Sequence, residues 1–158
     1  MKAKILISTA LAVMGILVLI GVFVFVDGKA DDIKIDTISK IEVYQHGRLL
    51  HELNRENYVS TLAKINSVLK TVDTGSCNKC TSEDMATILE FSELSLVISL
   101  KDTIKLSSKL IGDKIVIHLK GNSIAIGGEE FDSYEVKIDE VRSLASLLQK
   151  HSMLNLNP

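Results

Sequence analysis

The chain has one proline, Pro158, no tryptophan, and only seven Phe and Tyr residues, two of them within a single apolar run. With so little proline and no low-complexity tract or internal repeat, no Pro-rich linker marks a boundary between two folded units. The shortage of aromatic stacking platforms argues against single-stranded nucleic acid, and duplex binding lacks its basic footprint. From Asp27 onward all 20 acidic residues stand against 16 basic ones, a net charge of −4. Nucleic acid is therefore excluded as a partner. Arginine is scarce as well. Arg48, Arg55 and Arg142 stand beside fifteen lysines, so forked grips on phosphate or carboxylate are few.

Catalytic signatures are missing too. There is no G-x-S-x-G elbow, no H-E-x-x-H, no G-x-x-x-x-G-K-S/T and no G-x-G-x-x-G. His46, His51, His118 and His151 show no ligand spacing with each other or with the cysteines, so no metal and no cofactor is expected. Glu129 and Glu130 follow Gly127-Gly128, but adjacent side chains point apart, and a solvated loop is the simpler reading. The balance falls against an enzyme.

What is present is an uncharged run, Ile5 to Val26, preceded by Lys2 and Lys4 and followed by Asp27, Asp31 and Asp32. At about 1.5 Å per helical residue it spans roughly 33 Å, enough for a hydrocarbon core of about 30 Å. The basic excess on the N-terminal flank places residues 1–4 in the cytoplasm and everything beyond the run outside it. The alternative is a secreted chain cut from a signal peptide, since Gly28-Lys29-Ala30 offers small residues at cleavage spacing, although the apolar run exceeds the roughly 7–15 residues typical of such peptides. The expected organisation is thus an anchor over 5–26, a juxtamembrane linker over 27–36 and one extracytoplasmic domain over 37–158.

That domain is expected to be α+β. Ile41 and Val43 alternate with Glu42 in a strand from Ile33 to Gln45, and His46-Gly47 turns the chain into a second strand, Arg48 to Leu53. Asn54 suits an N-cap for a helix along Tyr58, Leu62, Ile65 and Leu69, ending near Val72. Gly75 to Asp84 is polar and turn-rich and is expected to be a surface loop. Five strands follow: Ala86 to Phe91; Leu94 to Leu100; Thr103 to Ser107 after a turn at Lys101-Asp102; Ile115 to Leu119; and Ile124 to Ile126, closed by Gly127-Gly128. Short turns between them favour antiparallel neighbours. A final helix runs from Ile138 to His151, with Val141, Leu144, Ala145 and Leu148 on one stripe. The order ββα-βββββ-α predicts a mainly antiparallel sheet covered on one face by two helices. Ser95, Ser99, Lys105, Val116 and His118 then fall on the uncovered face, and Ser95, Ser99 and His118 are the candidate binding residues.

Cys77-Asn78-Lys79-Cys80 is the one motif with chemistry of its own. In an oxidising compartment the pair is expected to close a short disulfide contributing about 2 kcal/mol. Thiol–disulfide exchange is the alternative, although it needs a helix N-terminus to activate the attacking thiol. The functional expectation is a single-pass, membrane-anchored interaction module meeting a protein of the cell envelope, with a thiol–disulfide protein or a ligand- or inhibitor-type binding domain as alternatives.

Overall fold

The computed structural model describes residues 30–81, 89–90 and 92–150. Among these, no helix is long and apolar enough to cross a membrane. The run Ile5–Val26 lies outside the described residues. Seven strands form one antiparallel sheet: β1 (Ile38–Gln45), β2 (Arg48–Glu52), β3 (Asp73–Thr81), β4 (Ser95–Lys105), β5 (Ile111–His118), β6 (Ser123–Gly127) and β7 (Glu130–Glu135), in the spatial order β2-β1-β4-β5-β6-β7-β3. Helices α1 (Tyr58–Leu69) and α2 (Ile138–Lys150) pack against each other and against the sheet.

Ile41 and Val43 are fully buried as expected, but Glu42 between them is buried too, on the opposite face, so the alternation in side-chain direction is not an alternation in exposure. The first hairpin turns through His46 (φ 48°) and Gly47 (φ 73°), two consecutive left-handed residues that match a two-residue type I′ turn. Helix α1 buries Tyr58, Leu62, Ile65 and Leu69 as its periodicity requires, and α2 buries Val141, Leu144 and Leu148. Asn54 makes no side-chain cap. It precedes a 3-10 turn, Arg55–Asn57, and the α-helix begins only at Tyr58.

The remaining differences lie in which segments form the strands. The expected loop from Gly75 is strand β3, an edge strand whose described side chains are exposed or half-buried, so no apolar alternation marks it. Backbone pairing to β7 holds it instead. Its register jumps from Asp73↔Glu135 to Asn78↔Ser133, and in that bulge Ser76 Oγ accepts the Glu135 N–H at 2.7 Å while Asp73 Oδ1 accepts the Gly75 N–H at 2.9 Å. The turn expected at Lys101-Asp102 is likewise a bulge within one long strand, β4, whose register against β5 jumps between Ser99 and Ile104. The chain reverses at Leu106–Leu110, where the Leu106 N–H donates to the Leu110 carbonyl at 2.8 Å. Of the expected strand Ala86 to Phe91, only Leu89 and Glu90 are described, and they form part of a helical turn. Strand β7 was not anticipated because its two large side chains, Phe131 and Tyr134, are buried in the two different apolar clusters, which breaks simple alternation.

The expected linker is also partly domain. Ala30 and Ile33 are buried, the Asp31 N–H donates to the Leu106 carbonyl at 2.6 Å, and Asn66 clamps Ile33 with two bonds, Ile33 N–H to Oδ1 at 2.9 Å and Nδ2 to the Ile33 carbonyl at 3.2 Å.

The β6–β7 hairpin supplies a test of packing. A Cβ on Gly127 would lie 1.9 Å from the Glu130 carbonyl oxygen, whereas one on Gly121 would make ordinary contact at 3.5 Å with His118 Cβ. Gly127→Ala must therefore displace backbone, at a cost of about 2–3 kcal/mol, which lowers Tm by roughly 10 °C. Gly121→Ala leaves Tm nearly unchanged. Thermal unfolding of both variants followed by circular dichroism checks the contrast.

Candidate functional site

Because side chains alternate across each strand, the sheet presents a second face to the side away from the helices. Register fixes which residues meet there. Tyr44, Ser95 and His118 stand side by side on β1, β4 and β5; Glu42, Val97, Val116 and Ala125 form the next row; Lys40, Ser99 and Lys114 form a third. The structure thus brings Ser95 and His118 together, directly opposite each other. Ser99 does not join them. It stands two rungs along, between two lysines.

The middle of this face is apolar. Val97, Val116, Ala125 and Phe131 form a buried cluster separate from the main core, with Leu89 and Tyr44 packed against it. Burying side chains such as Val116 and Phe131 contributes about 1.5–3 kcal/mol each, so this cluster stabilises the sheet whatever else it does. Between it and the third row lies a groove of about 350 Å³, lined by Val97, Val116, Phe131, Leu89 and Tyr44 on the apolar side and by Lys40, Glu42, Ser99 and Lys114 on the polar side. Lys40 Nζ pairs with Glu42 Oε1 at 2.9 Å. That hydrogen bond, reinforced by the carboxylate's charge, raises the Lys40 pKa, while burial, then Glu42, raises that of Tyr44. Lys114 is exposed and has no ion-pair partner among the described residues.

At the end of the face a hydrogen-bonded chain holds the histidine. Ser95 Oγ donates to Ser92 Oγ at 2.9 Å, and Ser92 Oγ lies 2.7 Å from His118 Nδ1, with Ser95 Oγ itself 3.3 Å from that nitrogen. Burial of the imidazole pushes its pKa below the ordinary 6.5, so it is neutral near pH 7. A serine 2.7 Å from a histidine has the spacing of a nucleophile–base pair. No carboxylate among the described residues bonds His118 to orient it as a base. The arrangement is a satisfied, half-buried polar cluster that fixes the β4–β5 end of the face. Ser92 was not foreseen, since it precedes its strand and reaches His118 only through the fold.

Cys77 is a free, exposed thiol. It lies on the same edge strand as Cys80, and three residues of extended backbone separate their Cα atoms by about 10 Å, beyond the roughly 7 Å a disulfide can bridge. The expected bridge is therefore not formed in this structure. The thiol lies against the Tyr134 hydroxyl, which also donates to the Lys109 carbonyl at 3.1 Å; burial, then Asp132, then Cys77 push the Tyr134 pKa well up. Among the described residues no group of His, Cys, Asp and Glu is arranged to hold a metal.

Comparison with protein-family models, with curated proteins and with solved structures yields no match to this chain.

The apolar floor was legible only in part. Val97 and Val116 sit within LSLVISL and IVIHL, near-continuous apolar runs of the kind that mark a strand buried on both faces. Lys40 and Glu42 gave no signal beyond ordinary exposed alternation.

His118 gives a pH test with a definite sign. A histidine whose folded pKa lies below its unfolded one is destabilising when charged, so its contribution is intact above about pH 6.5 and is lost as pH falls below that value. Asn can present Oδ1 to Ser92 without titrating. The denaturant midpoint is expected to fall further for the wild type than for His118→Asn between pH 7.5 and 5, with equal falls refuting the assignment.

Proposed function

We propose that this chain is a non-enzymatic interaction module, held on the outer side of a cell membrane through Ile5–Val26, that meets a protein of the cell envelope on the face of its sheet turned away from α1 and α2. The observation that carries the reading is the groove over Val97, Val116 and Phe131, with Lys40, Glu42, Ser99 and Lys114 at its rim. Protein contact surfaces combine an apolar centre with a charged border. Here the floor is already buried, so the apolar area left to cover belongs to the half-buried Tyr44 and Leu89, and the border gives orientation. Of the residues expected to bind, Ser99 belongs to this groove, while Ser95 and His118 form the polar cluster at the end of the face.

The groove's volume also suits a small amphipathic molecule, at the lower end of the range for ligand sites. That second reading requires a ligand that raises the melting temperature of the wild type and not of Lys114→Glu. A thiol–disulfide role has less support, because Cys77 occupies an edge strand and not a helix N-terminus.

Photo-crosslinking in intact cells tests the first reading on the full chain. A crosslinking residue at Ser99 or Lys114 is expected to capture one envelope protein in stoichiometric amounts, and a residue at Val59, which is 69% exposed on α1, is expected to capture none. Combining Lys40→Glu with Lys114→Glu should cut the capture about tenfold, the scale of 1.4 kcal/mol. Replacing Cys77 and Cys80 with Ser should not change it. Equal capture from Val59, or none from either groove position, ends this reading.

A further inference from the structure

The first described residues are fastened to one end of the sheet. Ala30 and Ile33 are buried, the Asp31 N–H bonds the Leu106 carbonyl, and Asn66 holds Ile33 by two hydrogen bonds. Only residues 27–29 separate Val26 from Ala30. Fully extended, the step from Val26 to Ala30 reaches at most about 14 Å. The headgroup layer on one side of a bilayer takes up roughly 5–7 Å of that, from a total thickness of about 40–45 Å around a core of about 30 Å. The domain has almost no tether left with which to stand away.

From this we infer that the domain rests on the membrane by the Leu106–Leu110 end of its sheet, with lipid headgroups as the surface it meets. The inference rests on the reading of Ile5–Val26 as an uncleaved anchor. Two of the large apolar side chains exposed on the domain lie at this end: Ile35, 46% exposed, follows the Ile33 clamp directly, and Ile111, 50% exposed, follows the Leu106–Leu110 reversal. An exposed isoleucine at the level of the headgroups is sheltered there from bulk water. The opposite end is held outward. Strand β5 runs for 8 residues from Ile111 to His118 beside the bulged β4, so the His46–Gly47 and Gly121–Asn122 turns stand roughly 25 Å further from the bilayer. His118 and Ser92 are then at the membrane-distal end, and the groove around Ser99 lies midway, its long side open to anything approaching along the surface.

The test uses the full chain in vesicles carrying a nitroxide on the lipid headgroup. A fluorophore is placed at Ser108→Cys or at Asn122→Cys, each with Cys77→Ser and Cys80→Ser. Quenching is expected to be several-fold stronger at 108 than at 122, and a Gly/Ser insert between Gly28 and Lys29 is expected to weaken it at 108. Equal quenching at the two positions, in a chain that stays with the vesicles through alkaline carbonate, overturns the apposition and leaves the anchor standing. Release of the chain by carbonate overturns the anchor and this inference with it.

Discussion

A strand shows its side chains to two faces in turn, and the two long helices among the described residues, α1 and α2, lie on only one of them. The other conditions of the fold follow from that imbalance. Ile41, Ile98, Ile115, Ile117 and Ile124 point to the covered side and make one core with the apolar stripes of α1 and α2. Val97, Val116 and Ala125, on the same central strands, point the other way, away from α1 and α2, and meet Leu89 of the helical turn before β4. They are kept from water by one another, by Phe131 from β7 and by Leu89 and Tyr44 at the margin. Helix α1 must run from the β2 edge to the β3 edge, so it lies across the whole sheet and is fixed to the first face. Nothing comparable lies over the second among the described residues.

Where burial was one-sided, the sequence was transparent. The stripes of both helices and the inward setting of Ile41 and Val43 follow from period alone, and the short turns give the antiparallel class. It failed where backbone pairing did the work without help from side chains. Strand β3 buries no described side chain and is held by its ladder to β7, so GSCNKC looks like a loop. The bulge in β4 hides in the same way. Lys101 and Asp102 have turn composition, yet the chain does not reverse there: the extra residues bulge out of register with β5 and pairing resumes at Ile104.

The site divides along the same line. The pairing of Ser95 with His118 was within reach of a strand assignment, since both fall on the open side of adjacent strands; Ser92 was not, because its contact depends on how the segment before β4 enters the sheet. The apolar floor was obscured for a different reason. A strand buried on both faces loses the alternation that would reveal either one, and Val97 then resembles any core valine. Cys77 and Cys80 carried a strong local signal whose meaning depended on backbone form. Three residues in a turn can be bridged, and three residues in a strand cannot.

A sheet protein offers its partners an edge or a face, and here the two edges are poorly suited. Strand β2 exposes Leu49 and Leu50, which would favour an added strand, but its register shifts between Val43 and Tyr44, so the even spacing that a newcomer needs is broken. Strand β3 carries a larger shift between Asp73 and Asn78, with Ser76 and Asp73 occupying backbone groups inside it. Bulges at both edges raise the cost of extending the sheet without affecting its face. The face keeps regular rows across β1, β4, β5 and β6, an apolar centre already sheltered from water, and a border where Lys114 has no ion pair among the described residues. A partner covering this border would find the charge of Lys114 to neutralise and a floor that needs no rearrangement, which is why the proposed binding role is assigned to the face and not to the edges.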